Sequence, residues 1–512
     1  MSTAPTESAP SPDGTRRALR HLAWVIGTCV LLAGATYLTP GLDRFRPWMP
    51  GDAPPLARLF EKWGTVEVPT FAGAGGGYQA PRQVSERAEK DLGTAVAQNL
   101  GEPREEPADP APARRAEGRP PGVRIEPQEY AGIEVGIEDP GHRGMEPFYR
   151  ALLRTARDEA GALSRIAHYG DSSIATDLIT HTVRRRLQKR FGDGGHGFLL
   201  VARGQMPWGH RDVSHLASNE AWELRELVRS SLRSGRYGYG GVQYRGVPGA
   251  WARFGVDEEA PVGRRVSRFE VYYQRGRMGG KVRLQVDGET VRTLDTRGEE
   301  TADAFEEVDV SDGAHELGLR VVAGMPVLYG VTMERDGPGV VYDSLGMVGA
   351  RARRLMNYDR AHIARQIRHR GVHLLVLGFG GNEADDPPGR MKGYEDEFVK
   401  VIRHMRGGRK DLACLVFAPL DQARRSERGG VRTIPTVPKI VEAQKRAARR
   451  EGCAFYNTFE AMGGEGAMQR WYRSRPRLAL GDFRHATPAG YEAIGNMFYK
   501  AILQDFARWL RR

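Results

Sequence analysis

Cysteine is nearly absent from this chain. Three stand among 512 residues, Cys29, Cys414 and Cys453. No zinc-ligand spacing and no disulfide framework can be built from them, so Cys414 and Cys453 read as buried apolar side chains. A basic-aromatic pattern is also missing. Lys and Arg total 76 against 64 Asp and Glu, a net charge of +12, which favours anionic partners such as nucleic acid, acidic glycans or a membrane surface. The arginines are scattered, however, and form no nucleic-acid-binding module, so no nucleic-acid partner is expected. A phosphate loop is lacking too. The stretch GDGGHG at 192–197 has no Lys-Ser/Thr after it and reads as a tight turn ending a helix. Glu383, Asp385 and Asp386 lie close together but have no His or further spaced ligand, and the DDPPGR that follows marks a solvated loop. No metal and no other cofactor is expected.

Charge is absent from one stretch, HLAWVIGTCVLLAGATYLTPGL, which follows Arg16, Arg17 and Arg20 and stays uncharged until Asp43. It has about the ~20 residues that cross a bilayer, and basic residues before it place the N-terminus in the cytoplasm and the remainder outside. The expected layout is a cytoplasmic tail over 1–20 and a transmembrane anchor over 21–42. The small-x-small AGA at Ala33–Ala35 supports the alternative of a cleaved signal peptide and a secreted protein. Residues 43–131 are rich in Pro, Gly, Glu and Arg, bury too little apolar surface to order themselves, and read as a flexible tether across the envelope. A short helix around 84–98 is predicted within it.

The remaining chain has two textures. From about Gly132 a helical pattern in MEPFYRALLRTARDEAG leads to the strand SRIAHY, and after GDS the positions Ile174, Leu178, Ile179, Val183 and Leu187 predict one helix reaching Gly192. Between 206 and 339, RFEVYYQRG, GKVRLQVDGETVRTLD and AHELGLRVVAG alternate in period two, with Asp-Gly as a turn signal. From 340 onward short apolar strands, GVVYDSLG, VHLLVLGFG and LACLVFAPL, alternate with helical sequence and end in PAGYEAIGNMFYKAILQDFARWL. The pattern predicts an α/β domain with a parallel sheet, in two parts over 132–205 and 340–512, interrupted by an all-β insertion over 206–339.

In an open parallel sheet function sits at the carboxyl ends of the strands. The first strand ends in Gly170-Asp171-Ser172, the second in DSLGMVGA with Gly349, the third in GGNEADD with Asn382, and GDFRHATPAG before the last helix carries Asp482 and His485. These pieces supply what acyl transfer needs: Ser172 as nucleophile, His485 as base, Asp482 to hold the imidazole tautomer, and the N–H groups of Ser172 and Gly349 with the Asn382 amide as oxyanion donors. His168, on the strand before the serine, reads as a core histidine. Trp208, Tyr237, Tyr239, Tyr244 and Trp251 cluster near the start of the insertion, where aromatics serve either the core or sugar stacking.

GDS, the glycine of VGA, GGN and DFRH, in that order, resemble the SGNH (GDSL-type) hydrolase family. The resemblance covers about 150–200 and 340–510 and implies a flavodoxin-like three-layer fold and ester hydrolysis or acyl transfer. RFGDGGHGF, GFGGNEA and the inserted β module, here a jelly-roll-like sandwich, look like the peptidoglycan O-acetylesterases, in which the insert is similar to a carbohydrate-binding module. Relatives often carry His after the serine, where this chain has Ser173. The expectation is an envelope esterase removing O-acetyl groups from an acetylated polysaccharide, with a membrane-embedded N-terminus. Two alternatives are an O-acetyltransferase using the same triad and a non-catalytic glycan-binding scaffold. Removal of about Trp208 to Asp336 is expected to impair polymer turnover while sparing small esters.

Overall fold

Five apolar stretches of the α/β sequence become parallel strands of one sheet. In the computed structural model, which describes residues 123–512 apart from 204–208, 230, 408, 410 and 427–429, they run in chain order as Leu163–Gly170, Gly339–Gly346, Leu374–Gly378, Ala413–Phe417 and Ala454–Tyr456. Across the sheet the second strand lies outside the first, and the third, fourth and fifth follow on its other side. That 2-1-3-4-5 arrangement is the flavodoxin-like order. Alternate residues serve opposite faces: Leu374 and Val376 join a core with Phe148, Leu152, Ile179, Val183 and Phe498, whereas Leu375 and Leu377 join one with Ile363, Ile367, Phe398, Ile402 and Ile440. Helices Glu146–Ala156, Leu178–Phe191 and Pro488–Leu510 supply the first set, and Arg360–His369, Tyr394–Met405 and Thr436–Arg450 the second. Burial on both faces is why these strands read as continuous apolar runs.

Several expectations need correction. Packing starts before residue 132: Ile125 is buried in the first core, Arg190 Nε donates to Glu129 at 2.7 Å, and Ile137–Glu138 adds an antiparallel edge strand to Ala454–Tyr456. The helix after the serine is two helices, Ser172–Ala175 and Leu178–Phe191, broken at Asp177, whose φ is +57°. The Asp177 carboxylate is gripped by both Arg184 terminal nitrogens at 3.0 and 2.8 Å and by the Arg211 N–H at 2.9 Å. Cys414 and Cys453 are buried as expected but joined in a disulfide, with Cα atoms 4.7 Å apart. The pairing of Leu415 with Ala454 on neighbouring strands puts the two preceding positions side by side, although 39 residues separate them in sequence.

Among the described residues no helix is long and apolar enough to cross a membrane. The expected tail, the anchor, the predicted helix at 84–98 and nearly all of the expected tether lie outside the described residues.

The β region forms two antiparallel sheets. One holds Glu289–Asp295, Gly280–Val286, Glu316–Gly324, Trp251–Val256 and Val213–Ala217 in spatial order. The other holds Ala302–Gly313, Val266–Arg275, Val327–Glu334, Val242–Gly246 and Trp222–Glu226, and Gly195–Leu199 also pairs with Val327–Glu334. That last strand precedes residue 206, so the sheet crosses the sequence boundary. Buried charges bind the two regions further. Arg370 reaches Asp343 at 2.9 and 3.0 Å and also Glu334, while Arg165 forks onto Glu334 at 2.9 and 2.7 Å. Tyr239 donates to Asp343 at 2.8 Å. Cutting out 208–336 would remove Glu334 and leave Arg370 and Arg165 short of a buried counter-charge, a loss of several kcal/mol. The insertion is therefore not separable in the way its sequence texture suggests.

Candidate active site

Register aligns the strand ends that matter. Gly170 pairs with Gly346 on one side and Gly378 on the other, the Met347 N–H donates to Gly170 O at 2.9 Å, and the Asp171 N–H donates to Gly378 O at 3.2 Å. A side chain at Gly170 would press within 2.9 Å of that same Gly378 carbonyl, which is why the turn before the serine needs glycine. Asp171 caps the following helix and accepts from the N–H and the hydroxyl of Ser173 at 3.0 and 2.7 Å. The second serine of GDSS is thus committed to the cap, and Ser172 faces the pocket.

Ser172 Oγ lies 3.0 Å from His485 Nε2, and His485 Nδ1 lies 2.7 Å from Asp482 Oδ2. The other Asp482 oxygen accepts from the N–H groups of Arg484 and His485 at 2.9 and 3.1 Å. Burial pushes the Asp482 carboxyl up, but its bonds from His485 and these two N–H groups overcome that and hold it at about 2. The bond to Asp482 raises the His485 imidazole above its ordinary value against an opposing effect of burial. An ionised carboxylate facing Nδ1 fixes the neutral ring with its proton there and leaves Nε2 as acceptor for the serine hydroxyl.

Ser172 and His485 share a pocket of ≈ 50 Å³ with Asn382, Gln422, Pro419 and Arg484. The Ser172 N–H, first of its helix, has no intrahelical acceptor. Asn382 Nδ2 donates to Ala350 O at 2.9 Å, which uses one of its two N–H groups. Gly349 stands on the neighbouring loop with φ +75°, a left-handed conformation that favours glycine, but it is not among the residues walling this pocket.

Sequence reasoning undervalued Glu383. Read there as part of a solvated acidic loop, it is 1% exposed, and one of its oxygens accepts from the Ala352 N–H at 2.7 Å while the other has no hydrogen-bond partner among the described residues. Burial pushes its carboxyl up to about 8. Its place immediately after Asn382 was the available signal. Asn382 and Glu383 together clamp the loop that carries Gly349. Arg484 was also missed; it forks onto Asp385 at 2.5 and 2.8 Å beside the pocket. Asp386 accepts from Arg351 at 2.9 Å, and among the described residues no cluster could hold a metal ion.

His168 is buried, with Nδ1 2.9 Å from the Tyr342 hydroxyl, and burial lowers it to about 3; its Nε2 has no hydrogen-bond partner among the described residues, so it is a core histidine. Of the aromatic cluster, Tyr237, Tyr239 and Tyr244 are core residues, Trp251 is half-buried, and Trp208 lies outside the described residues.

No protein-family model matches the chain, and no curated protein matches it. Among solved structures it is similar to a peptidoglycan O-acetylesterase, with 21% identity, a TM-score of 0.60, and coverage of 73% of this chain and 99% of that one. A family two carbohydrate esterase from Cellvibrio japonicus aligns at 10% identity and a TM-score of 0.23 over 58% of this chain and 99% of the other. With its 2-1-3-4-5 parallel sheet and its serine at the end of the first strand, the chain is similar in fold to that solved peptidoglycan O-acetylesterase.

Proposed function

We propose that this protein is a cell-envelope carbohydrate esterase that removes O-acetyl groups from a glycan of the peptidoglycan type. The observation that carries the reading is the hydrogen-bonded series Ser172–His485–Asp482 at the carboxyl end of the sheet. Ser172 Oγ attacks the acetyl carbonyl while His485 Nε2 takes its proton, and Asp482 stabilises the imidazolium. The oxyanion is met by the Ser172 N–H and the second N–H of Asn382. His485 then protonates the departing sugar oxygen. Water, deprotonated by the same imidazole, cleaves the acetyl-serine and releases acetate. The likeness to an O-acetylesterase fold supports this reading at the level of fold. The Cys414–Cys453 disulfide supports an oxidising compartment outside the cytoplasm, in line with an N-terminal anchor over 21–42.

The test is hydrolysis of an aryl acetate and acetate release from O-acetylated peptidoglycan by the wild type, Ser172→Ala and Ser173→Ala. Ser172→Ala is expected to abolish both activities and Ser173→Ala to retain most of each. Full activity in Ser172→Ala would end the proposal.

A further inference from the structure

The outer face of the five-stranded sheet carries two arginines that have no carboxylate partner among the described residues. In register, Arg283 stands opposite Arg320, and Arg320 stands opposite Trp251. In the next row Gln285, Gly318, Arg253 and Leu216 follow one another across four strands. Residues directly opposite on antiparallel strands have Cβ atoms ~4.5–5.5 Å apart, and like charges so placed are destabilising. Among the described residues neither Arg283 nor Arg320 has an ion-pair partner, and both side chains are exposed. Arg253 is 57% exposed with its nearest carboxylate, Glu316, at 3.8 Å, and its guanidinium lies 5.5 Å over the Trp251 ring.

Between these side chains the sheet opens into a trough of ≈ 550 Å³ walled by Arg253, Arg283, Gln285 and Arg320. Asp287 and Glu316 close one end of it, and Asp287 is already engaged by His315 at 2.6 Å. Gly318 forms the floor. A Cβ there would meet only ordinary contact, 3.5 Å from Gln285, so neither crowding nor backbone angle requires glycine at this position, and its consequence is an open floor.

We propose that this face binds an anionic glycan strand, its carboxylates held by Arg283, Arg320 and Arg253 and a sugar ring laid against Trp251. The proposal deepens the esterase reading and rests on it for the glycan. Guanidinium forks match carboxylates bidentately, an anion relieves the Arg283–Arg320 repulsion, and a half-exposed indole flanked by a cation offers an apolar surface to a sugar ring. A trough walled by side chains of three neighbouring strands suits a polymer chain lying in it better than a lipid surface.

The experiment is co-sedimentation of the full-length protein with purified insoluble peptidoglycan, either with free carboxylates or with carboxylates capped as methyl amides. Anionic phospholipid vesicles serve as a parallel probe. Wild-type protein is expected to bind the free form at least tenfold more tightly than the capped form. Arg283→Ser/Arg320→Ser is expected to lose at least tenfold in affinity while hydrolysing an aryl acetate at the wild-type rate. Equal binding to free and capped material overturns the proposal without any variant. So does wild-type affinity in the double variant, or arginine-dependent binding to vesicles and not to peptidoglycan. Carboxylate- and arginine-dependent binding in a wild type that cleaves no ester would sink the esterase reading and leave the binding face standing.

Discussion

Replacing Glu383 with glutamine should change how stability depends on pH, because this carboxyl is buried beside a backbone N–H and burial outweighs the nearby Arg351 charge. Its folded value of about 8 stands above the ordinary 4.5. The sign follows from proton counts. Between the two values the unfolded chain is ionised while the folded protein keeps the proton, so this group's contribution to stability is complete below 4.5 and falls as pH rises towards 8. From pH 6 to 9 the proton difference spans roughly two pH units, which at ~1.36 kcal/mol each amounts to about 3 kcal/mol lost by the wild type. The glutamine side chain keeps the size and can keep the acceptor for the Ala352 N–H, but cannot ionise. Urea midpoints of wild type and Glu383→Gln measured at pH 6 and 9 isolate the effect, since every other titrating group cancels in the difference. The variant is expected to hold its midpoint better by an amount equivalent to about 3 kcal/mol. Parallel decline in both proteins would refute the reasoning and mean that Glu383 is ionised in the folded state.

Asp482→Asn is expected to lower kcat by ~10⁴, because the imidazole loses its tautomer control, and to move the acid limb of kcat/KM to lower pH, since the carboxylate is what raises His485; an unmoved limb would assign that limb to another group. Cys414→Ala with Cys453→Ala should cost ~2–4 kcal/mol of stability and make the denaturation midpoint insensitive to reductant, whereas the wild-type midpoint should fall when reductant is added. Protease applied outside cells with a permeabilised outer envelope should release a soluble fragment of the protein by cutting between the apolar run and residue 123; complete protection of the chain would contradict an exported catalytic domain.

The parts of this molecule visible in the sequence were those with short-range causes. Period-two alternation marked the β region, apolar runs marked the doubly covered strands, Ser172 and Asn382 were singled out because each follows the end of a strand, and Asp482 and His485 because they share a short motif just before the last helix. What stayed hidden depends on contacts distant in sequence. Asp177, where the helix breaks, accepts from Arg211, 34 residues away. The disulfide follows from strand adjacency, and Glu383 looks solvated until the loop around Ala352 covers it. The aromatic cluster could not be divided by sequence into core and surface, because only the register shows that Trp251 shares a row with Arg320 and Arg283.

The splice between the two regions has a consequence for how the protein comes into being. Arg165 and its partner Glu334 are separated by 169 positions, and Ser172 meets His485 across 313. Such long-range closure makes folding slow and leaves apolar strands unpaired for much of synthesis. A nascent chain halted before residue 485 lacks the histidine, and one halted before the last helix has an unsealed core. Interrupted synthesis or early proteolysis therefore produces fragments without the Ser172–His485 pair, which assembles only after residue 485 has emerged and docked.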